Sequence, residues 1–219
     1  MVNNSSRPIL FDLDGTLVES GPSIMTSIRH ALGQVKGPEL DEPALRSFIG
    51  PPLRVSFRDI AGLHGQQLED ALEIYIAHQL KTGIDMVVPY DGIPQLLAEL
   101  RAARVPLAVA TSKRTENAFR VLEHTELLGF FEIVSGSEPG RMEKRHSIET
   151  ARVGLAAADV ALDDALMIGD RIHDIDGAAH FEMDCIAVTW GYGTADEWAR
   201  ADEVVESVPE LRDRLLAGI

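Results

Sequence analysis

Cysteine is nearly absent from this chain, and that absence limits the chemistry the chain can perform. Cys185 is the only cysteine among 219 residues, so an intrachain disulfide is excluded. Because residues 184–188 read as a buried strand, we interpret this thiol as a core residue rather than a nucleophile. The seven histidines show no grouping of the kind that binds zinc.

Positive charge and long apolar runs are also scarce. Lys and Arg together number 20 against 35 Asp and Glu, which gives a formal net charge of −15. Nucleic acids and anionic membranes recruit clustered basic residues, so we expect neither as a partner. No stretch reaches the roughly 18 apolar residues of a membrane span, and residues 1–10 lack the apolar segment of a signal peptide. These absences predict a protein of the cytoplasm.

What the sequence does contain is a regular alternation of apolar strands and amphipathic helices. Such alternation predicts an α/β fold with a Rossmann-like, three-layer α/β/α core and a parallel sheet. The predicted strands are 8–13, 106–111, 133–135, 166–169, 185–189 and 203–205. The predicted helices of this core are 93–103, 115–122, 147–156 and 174–181.

One interval breaks the alternation. Residues 20–88 contain no convincing strand, and helical spacing covers 23–32, 42–48, 53–63 and 67–80. We therefore predict a core domain formed by residues 1–19 and 89–219, with a helical cap domain inserted as residues 20–88. Glycine and proline in both connections suit a hinge.

Two aspartates stand two residues apart where the first predicted strand ends. Asp12 and Asp14 point to the same side of an extended chain, and Gly15 lets the backbone turn away. Like charges held this close repel each other. The pair therefore implies either a bound divalent metal or one carboxyl group that stays protonated.

Two further strand ends carry polar groups. Thr111, Ser112 and Lys113 end one apolar run, and Asp170 follows another. In open parallel sheets the ligand lies beyond the carboxyl ends of the strands. We therefore expect these residues to meet Asp12 in one site.

These motifs together resemble those of haloacid dehalogenase superfamily phosphatases, in particular the phosphoglycolate phosphatase-like group with a helical cap of the C1 type. The resemblance rests on four ordered motifs, FDLDGTLVES, VATSK, GRMEKR and MIGDRIHDIDGA. The flanking strings FIGPPLRVSF and WGYGT also resemble that group. The resemblance covers nearly the whole chain, and it implies a phosphatase on the α/β fold predicted above.

The resemblance also implies a role for each acidic motif residue. Asp12 would be the nucleophile that carries an aspartyl phosphate, and Asp14 would be the general acid and base. Mg²⁺ would be bound by Asp12, the main-chain carbonyl of Asp14 and Asp170. For Asp174, four residues further on, we favour support of the metal ligands over direct binding of the ion.

The third motif would supply a cation. Lys144 would neutralise both Asp12 and the phosphoryl group, and it is one of only four lysines among the 20 basic residues. Arg141 and Arg145 remain alternatives, because Arg145 stands where many members of the superfamily have proline after this lysine.

The remaining candidates would bind substrate. Thr111 and the amide of Ser112 are expected to donate to phosphate oxygens, beside Gly15 and Thr16 of the first motif. Lys113 is either a second phosphate ligand or a surface lysine.

Specificity is expected from the cap, because the core would bind only the phosphoryl group. Arg54, after a turn rich in proline, is the candidate that would meet a carboxylate or a nucleotide. For Arg46 and Arg58 a solvated helix face is favoured. Phosphoglycolate and nucleoside monophosphates both remain open as substrates.

The resulting hypothesis is a Mg²⁺-dependent phosphatase that acts on a small phosphorylated metabolite. A phosphomutase of the β-phosphoglucomutase type shares the motifs, and a receiver-like signalling or binding module also uses an aspartyl phosphate in an acidic pocket. A dehalogenase would not need Asp14, and a receiver domain would be shorter and lack the helical insert. The choice between monomer and dimer is left open.

Overall fold

The computed structural model describes residues 7–162 and 164–217. Its strands are β1 (Ile9–Phe11), β2 (Val18–Glu19), β3 (Val88–Pro89), β4 (Leu107–Arg114), β5 (Ile133–Ser137), β6 (Leu166–Gly169), β7 (Asp184–Val188) and β8 (Glu203–Val205). Its helices are α1 (Gly21–Gln34), α2 (Glu42–Arg46), α3 (Leu53–Asp59), α4 (Gly65–His78), α5 (Ile93–Ala102), α6 (Thr115–His124), α7 (Lys144–Ala157), α8 (Ile172–Ala179), α9 (Ala195–Trp198) and α10 (Val208–Leu216). Within these ranges, none of the helices combines the length and apolar character needed to cross a membrane.

Six strands form one parallel sheet in the order β5-β4-β1-β6-β7-β8. β1 lies between β4 and β6, and all three of its residues are buried, as an apolar strand inside a parallel sheet requires. Because the strands are parallel, the carboxyl ends of β1, β4 and β6 meet at one edge of the sheet.

Alternate residues of β1 enter two different apolar cores. Ile9 and Phe11 pack in a cluster with the buried faces of α5, α6 and α10. Leu10, between them, packs with α7 and α8 on the opposite face. The sheet is thus covered on both faces, which confirms the predicted three-layer α/β fold.

The helices α1 to α4 share an apolar core of their own. Its largest buried members include Ile28, Leu45, Phe57 and Tyr75. A π-helical turn at Gln79–Gly83 then leads back to the sheet. This separate core supports our proposal that residues 20–88 are a cap inserted into the α/β domain.

The two connections between these helices and the sheet lie side by side. β2 and β3 pair as a short antiparallel ribbon, with Val18 opposite Pro89 and Glu19 opposite Val88. Both connections therefore leave the sheet domain at one place, as a hinge between two bodies requires.

Candidate active site

Residues from three of the motifs meet at one edge of the sheet. Asp12 follows β1, Asp170 follows β6, and Thr111 lies in β4 beyond the residues that pair with β1. All three residues are buried. The shared edge forms because β1 pairs with both β4 and β6.

Lys144 lies directly against the proposed nucleophile. Its Nζ is 2.6 Å from Asp12 Oδ1 and 2.5 Å from Asp174 Oδ1, and only 3% of its side chain is exposed. Burial disfavours the charged ammonium, but attraction to the two carboxylates outweighs burial and raises the pKa of Lys144. The lysine is therefore a fixed positive charge between two aspartates.

The two arginines that flank Lys144 within this motif lie away from Asp12. Arg141 pairs with Glu149, and Arg145 pairs with Glu143, in ion pairs that are about half exposed. Of the three basic residues, the structure thus brings only Lys144 to Asp12.

Three buried carboxylates lie together here, and two of them contact this lysine. Asp12, Asp170 and Asp174 each offer one oxygen, and these oxygens all lie within 4.8 Å of one another. Burial is the main influence on Asp12 and raises its pKa to about 6, although Lys144 opposes that effect. Burial, followed by repulsion from Asp174 and Asp12, raises the pKa of Asp170 well above its usual value. One lysine does not balance three carboxylates, so the donor set fits a divalent cation.

Asp170 is held from three sides. Its Oδ2 accepts a 2.6 Å hydrogen bond from the amide of Tyr192, and its main-chain carbonyl accepts one from Trp198 Nε1 at 2.8 Å. Its Oδ1 accepts a long hydrogen bond, 3.5 Å, from Thr16 Oγ1. A side chain on Gly15 would collide with this carboxylate, and Gly15 also has a φ of +88° that glycine adopts most readily.

Asp174 uses both carboxylate oxygens within the protein. Oδ1 contacts Lys144, and Oδ2 accepts a 3.0 Å hydrogen bond from the amide of Arg171 at the start of α8. This arrangement fits the expectation that Asp174 orients its neighbours rather than binding a metal ion directly.

Asp14 lies on the other side of the site, paired with Lys113. The Nζ of Lys113 is 2.9 Å from Asp14 Oδ2, and both side chains are mostly buried. Burial disfavours the ammonium, but interactions with Asp14, Tyr75 and Asp12 together outweigh burial and raise the pKa of Lys113. Lys113 is therefore not a solvated surface lysine. Asp14 Oδ1, by contrast, has no hydrogen-bond partner in the described part of the chain.

The predicted phosphate ligands divide into two groups. Thr111 and Ser112 line the cavity in front of Asp12. Gly15 and Thr16 lie behind, packed against Asp170, and the Thr16 carbonyl accepts a hydrogen bond from Trp190 Nε1. Gly15 and Thr16 therefore contact other parts of the protein and are not among the described residues that line the cavity.

The cavity itself lies between the sheet edge and the helices α1 to α4. It has a volume of about 750 Å³, with Asp12 and Asp14 on its core side. Arg54 lines it from the cap side, and its guanidinium makes two hydrogen bonds to Glu69, one of them 2.7 Å long. Arg58 pairs with Asp59 instead. The cavity thus joins the motif residues to the predicted specificity residue.

Two side chains near the acidic cluster form hydrogen bonds with the backbone of the cap. Arg171, next to Asp170, donates through Nη1 to the carbonyl of Ile49. The hydroxyl of Tyr192 accepts hydrogen bonds from the amides of Ser20 and Gly21, at 3.0 and 2.6 Å. The position of α1 is therefore coupled to the loop that holds Asp170.

Sequence reasoning did not assign roles to Tyr192, Trp198 and Arg171. Tyr192 lies in the WGYGT string, which carried a resemblance but no role. Trp198 is in α9 and contacts Asp170 only because the chain returns to the sheet edge. No local sequence pattern marks such a contact.

Comparison with known proteins gives a consistent result. The family model described as "Haloacid dehalogenase-like hydrolase" matches residues 9–188. Among solved structures, a predicted phosphatase from Clostridium acetobutylicum superposes with a TM-score of 0.87 at 33% identity, covering 97% of this chain and 99% of that one.

Three curated relatives carry different functional names. The tyrosine-protein kinase PtkA of Mycobacterium tuberculosis is 36% identical over 215 residues, which are 96% of this chain and 73% of that protein. A 5′-nucleotidase of Pseudomonas aeruginosa is 36% identical over 189 residues, covering 86% of this chain and 85% of the relative. A phosphoglycolate phosphatase of Mesorhizobium japonicum is 32% identical over 196 residues, covering 85% of each chain.

Proposed function

Since the chain belongs to the haloacid dehalogenase-like hydrolases, we propose that it hydrolyses a small phosphomonoester with Mg²⁺, through an aspartyl phosphate on Asp12. The resemblance inferred from the four motifs is confirmed, and the enzyme is a phosphoric monoester hydrolase. The observation that carries the mechanism is the position of Asp12. Asp12 lines the cavity and contacts Lys144, and one of its carboxylate oxygens lies within 4.8 Å of a carboxylate oxygen of Asp170.

Asp12 acts as the nucleophile in the first step. One of its carboxylate oxygens forms a bond to phosphorus while the bond from phosphorus to the leaving oxygen breaks. Lys144 favours the ionised carboxylate that this attack needs, and it offsets charge on the phosphoryl oxygens. Thr111 and the amide of Ser112 are proposed to donate to those oxygens.

Asp14 acts as the acid and then as the base. Its proton passes to the leaving oxygen in the first step, and it takes a proton from the attacking water in the second. The bond between phosphorus and Asp12 then breaks and inorganic phosphate leaves. Asp14 Oδ1, which has no hydrogen-bond partner among the described residues, suits this exchange, while Lys113 fixes the other oxygen.

The metal site is proposed from the same donor set. Mg²⁺ held by Asp12, Asp170 and the main-chain carbonyl of Asp14 would offset the carboxylate charge and polarise a phosphoryl oxygen. Asp174 would keep Lys144 and the start of α8 in place without occupying a metal position.

Replacement of the nucleophile tests this mechanism. We expect Asp12→Asn to lower kcat by at least about 10³-fold, because the amide cannot form the covalent intermediate. Asp176→Asn is the matched control, since Asp176 is an exposed residue of α8 that pairs with Arg200. Phosphate release is measured with Mg²⁺ and after chelation, and release should stop without the metal. Turnover by Asp12→Asn comparable with wild type would refute the mechanism.

A second candidate is transfer of the phosphoryl group to a hydroxyl acceptor other than water. The relative named as a tyrosine-protein kinase favours it, since its identity extends over 96% of this chain. Transfer to a sugar acceptor, as in a phosphomutase, would use the same intermediate. Product analysis separates the three: inorganic phosphate marks the hydrolase, and a phosphorylated acceptor protein or sugar marks a transferase or mutase.

A further inference from the structure

The cavity is large for a two-carbon substrate. Its volume of about 750 Å³ lies in the upper half of the range of about 300–1,000 Å³ that holds drug-sized ligands. A leaving group as short as glycolate, with its phosphoryl group at Asp12, would leave most of the cap side uncontacted. The space therefore suits a bulkier alcohol.

The cap wall of the cavity is mainly apolar. The lining residues are Phe48 from the loop before α3, Leu53 from the start of α3, Leu72 and Ile76 from α4, and Leu80 from the turn after α4. Apolar walls favour apolar or aromatic leaving groups, because binding then removes apolar surface from water. They offer nothing to a carboxylate.

The charged groups of this wall also disfavour an anionic leaving group. Arg54 is the one basic cap residue among the described residues that line the cavity, and Glu69 holds its guanidinium through two hydrogen bonds. Glu73 lines the same wall. A carboxylate entering there would have to separate the Arg54–Glu69 pair and lie close to two glutamates.

On the core side, two of the three cations that line the cavity are paired. Lys113 pairs with Asp14, and Arg120 pairs with Glu116. Arg114, which also lines the cavity, is exposed at the start of α6. Among the described residues that line the cavity, Arg114 is thus the cation without an ion pair, and it belongs to the core rather than to the cap wall.

From this geometry we infer that the enzyme prefers phosphomonoesters whose leaving group carries a ring or similar apolar bulk and no carboxylate. The Arg54–Glu69 pair is the specificity determinant, because Glu69 neutralises the one cationic group that the described residues place on the cap wall. This inference rests on the proposed phosphatase function and narrows it. It assigns phosphoglycolate to the poor substrates.

Three probes with similar leaving alcohols separate size from charge. Benzyl phosphate has the ring, 4-carboxybenzyl phosphate adds a carboxylate to the same ring, and phosphoglycolate has the carboxylate without the ring. We expect kcat/KM for benzyl phosphate to exceed each of the other two by about tenfold or more. Equal or higher kcat/KM for phosphoglycolate would overturn the inference while leaving the phosphatase function intact.

A variant that frees Arg54 from Glu69 tests the role of this ion pair in specificity directly. In Glu69→Ala the guanidinium loses its partner, so the ratio of kcat/KM for benzyl phosphate to that for 4-carboxybenzyl phosphate should fall about tenfold. The double variant Arg54→Ala with Glu69→Ala should lose this gain for the carboxylated probe. Asp59→Ala is the control, because it frees Arg58 on the same helix without any contribution to the cavity lining.

Glu69 and Arg54 are each about half exposed, so these variants are expected to fold, which thermal unfolding checks. An unchanged ratio in Glu69→Ala would remove the role of the pair. Binding of the two benzyl probes to Asp12→Asn, measured by calorimetry, tests the preference without turnover. If the wild-type enzyme releases phosphate from none of the probes, the proposed function is wrong. If, in addition, the two benzyl probes bind to Asp12→Asn with equal affinity, the inference about specificity is wrong as well.

Discussion

At the scale of single residues, Lys144 places a buried positive charge against two aspartates. Its ammonium is almost fully buried and contacts Asp12 and Asp174, so its removal takes the positive charge away from two buried carboxylates. We expect Lys144→Ala to lower the free energy of unfolding by about 3–5 kcal/mol in the absence of Mg²⁺. Urea unfolding at neutral pH measures this loss.

Arg141→Ala is the matched control for that prediction. Arg141 lies in the same motif, but its ion pair with Glu149 is half exposed and is worth at most about 1 kcal/mol. Similar losses in the two variants would show that the buried contacts of Lys144 do not stabilise the fold. Lys144→Arg gives a second measurement, because the planar guanidinium keeps the positive charge but does not match the compact ammonium that contacts Asp12 and Asp174. This variant should have a lower kcat at saturating substrate.

The sequence predicted the positions of charged residues better than it predicted their partners. Asp12 and Asp170 could be placed because each directly follows an apolar strand, and parallel strands end at one edge. The Lys113–Asp14 and Arg54–Glu69 pairs could not be predicted, since each joins residues on different elements. Partners of this kind depend on how elements pack, which local spacing does not encode.

At the scale of elements, the predicted strands and helices were mostly correct, and the differences have local causes. α3 ends at Asp59 rather than at residue 63, because Gly62 adopts a φ of +66° that breaks the helix. α8 begins at Ile172, two residues earlier than predicted, since the Asp174 carboxylate accepts from the Arg171 amide. The latter contact is the one that also orients the acidic cluster.

The start of α1 is the element whose position matters most for the site. The amides of Ser20 and Gly21 donate to the Tyr192 hydroxyl, while the Tyr192 amide donates to Asp170. A Cβ on Gly21 would lie 2.9 Å from the Tyr192 ring, so the ring or the helix must shift. We expect Gly21→Ala to lower kcat/KM by about tenfold, measured as phosphate release with Mg²⁺.

Gly33→Ala provides the control in the same helix. Nothing lies within 4 Å of a Cβ at Gly33, and alanine favours helix by up to about 1 kcal/mol over glycine. This variant should therefore raise the melting temperature and leave kcat/KM unchanged. An unaltered kcat/KM in Gly21→Ala would instead show that the contact with Tyr192 does not position the site.

At the scale of the whole molecule, the buried carboxylates oppose folding when they are ionised. The pKa of Asp12 is raised to about 6 by burial, and that of Asp170 is raised well above its usual value. The folded state therefore retains protons that the unfolded chain has released at the same pH. Stability from these groups is fully present below pH about 4 and is lost as pH rises through the folded pKa values.

The metal-free protein should therefore become less stable as pH rises. Mg²⁺ should counteract that loss of stability. In chelator, we expect the melting temperature to fall between pH 5 and pH 7.5. Asp12 should lose on the order of 1.4 kcal/mol of stability over this interval, because its pKa of about 6 lies roughly one unit above pH 5. Mg²⁺ binds the ionised carboxylates and so stabilises the folded state by mass action. Its stabilising effect should be small at pH 5 and large at pH 7.5.

Asp170→Asn separates this effect from other titrations in the chain. The amide is neutral at every pH and is a poorer metal ligand, so both the fall in chelator and the gain from Mg²⁺ should become smaller. Asp176→Asn, on the exposed face of α8, should leave both unchanged. A melting temperature that rises with pH in chelator, or an equal gain from Mg²⁺ at both pH values, would contradict the proposed metal site, because the charge excess that calls for a cation would then be absent.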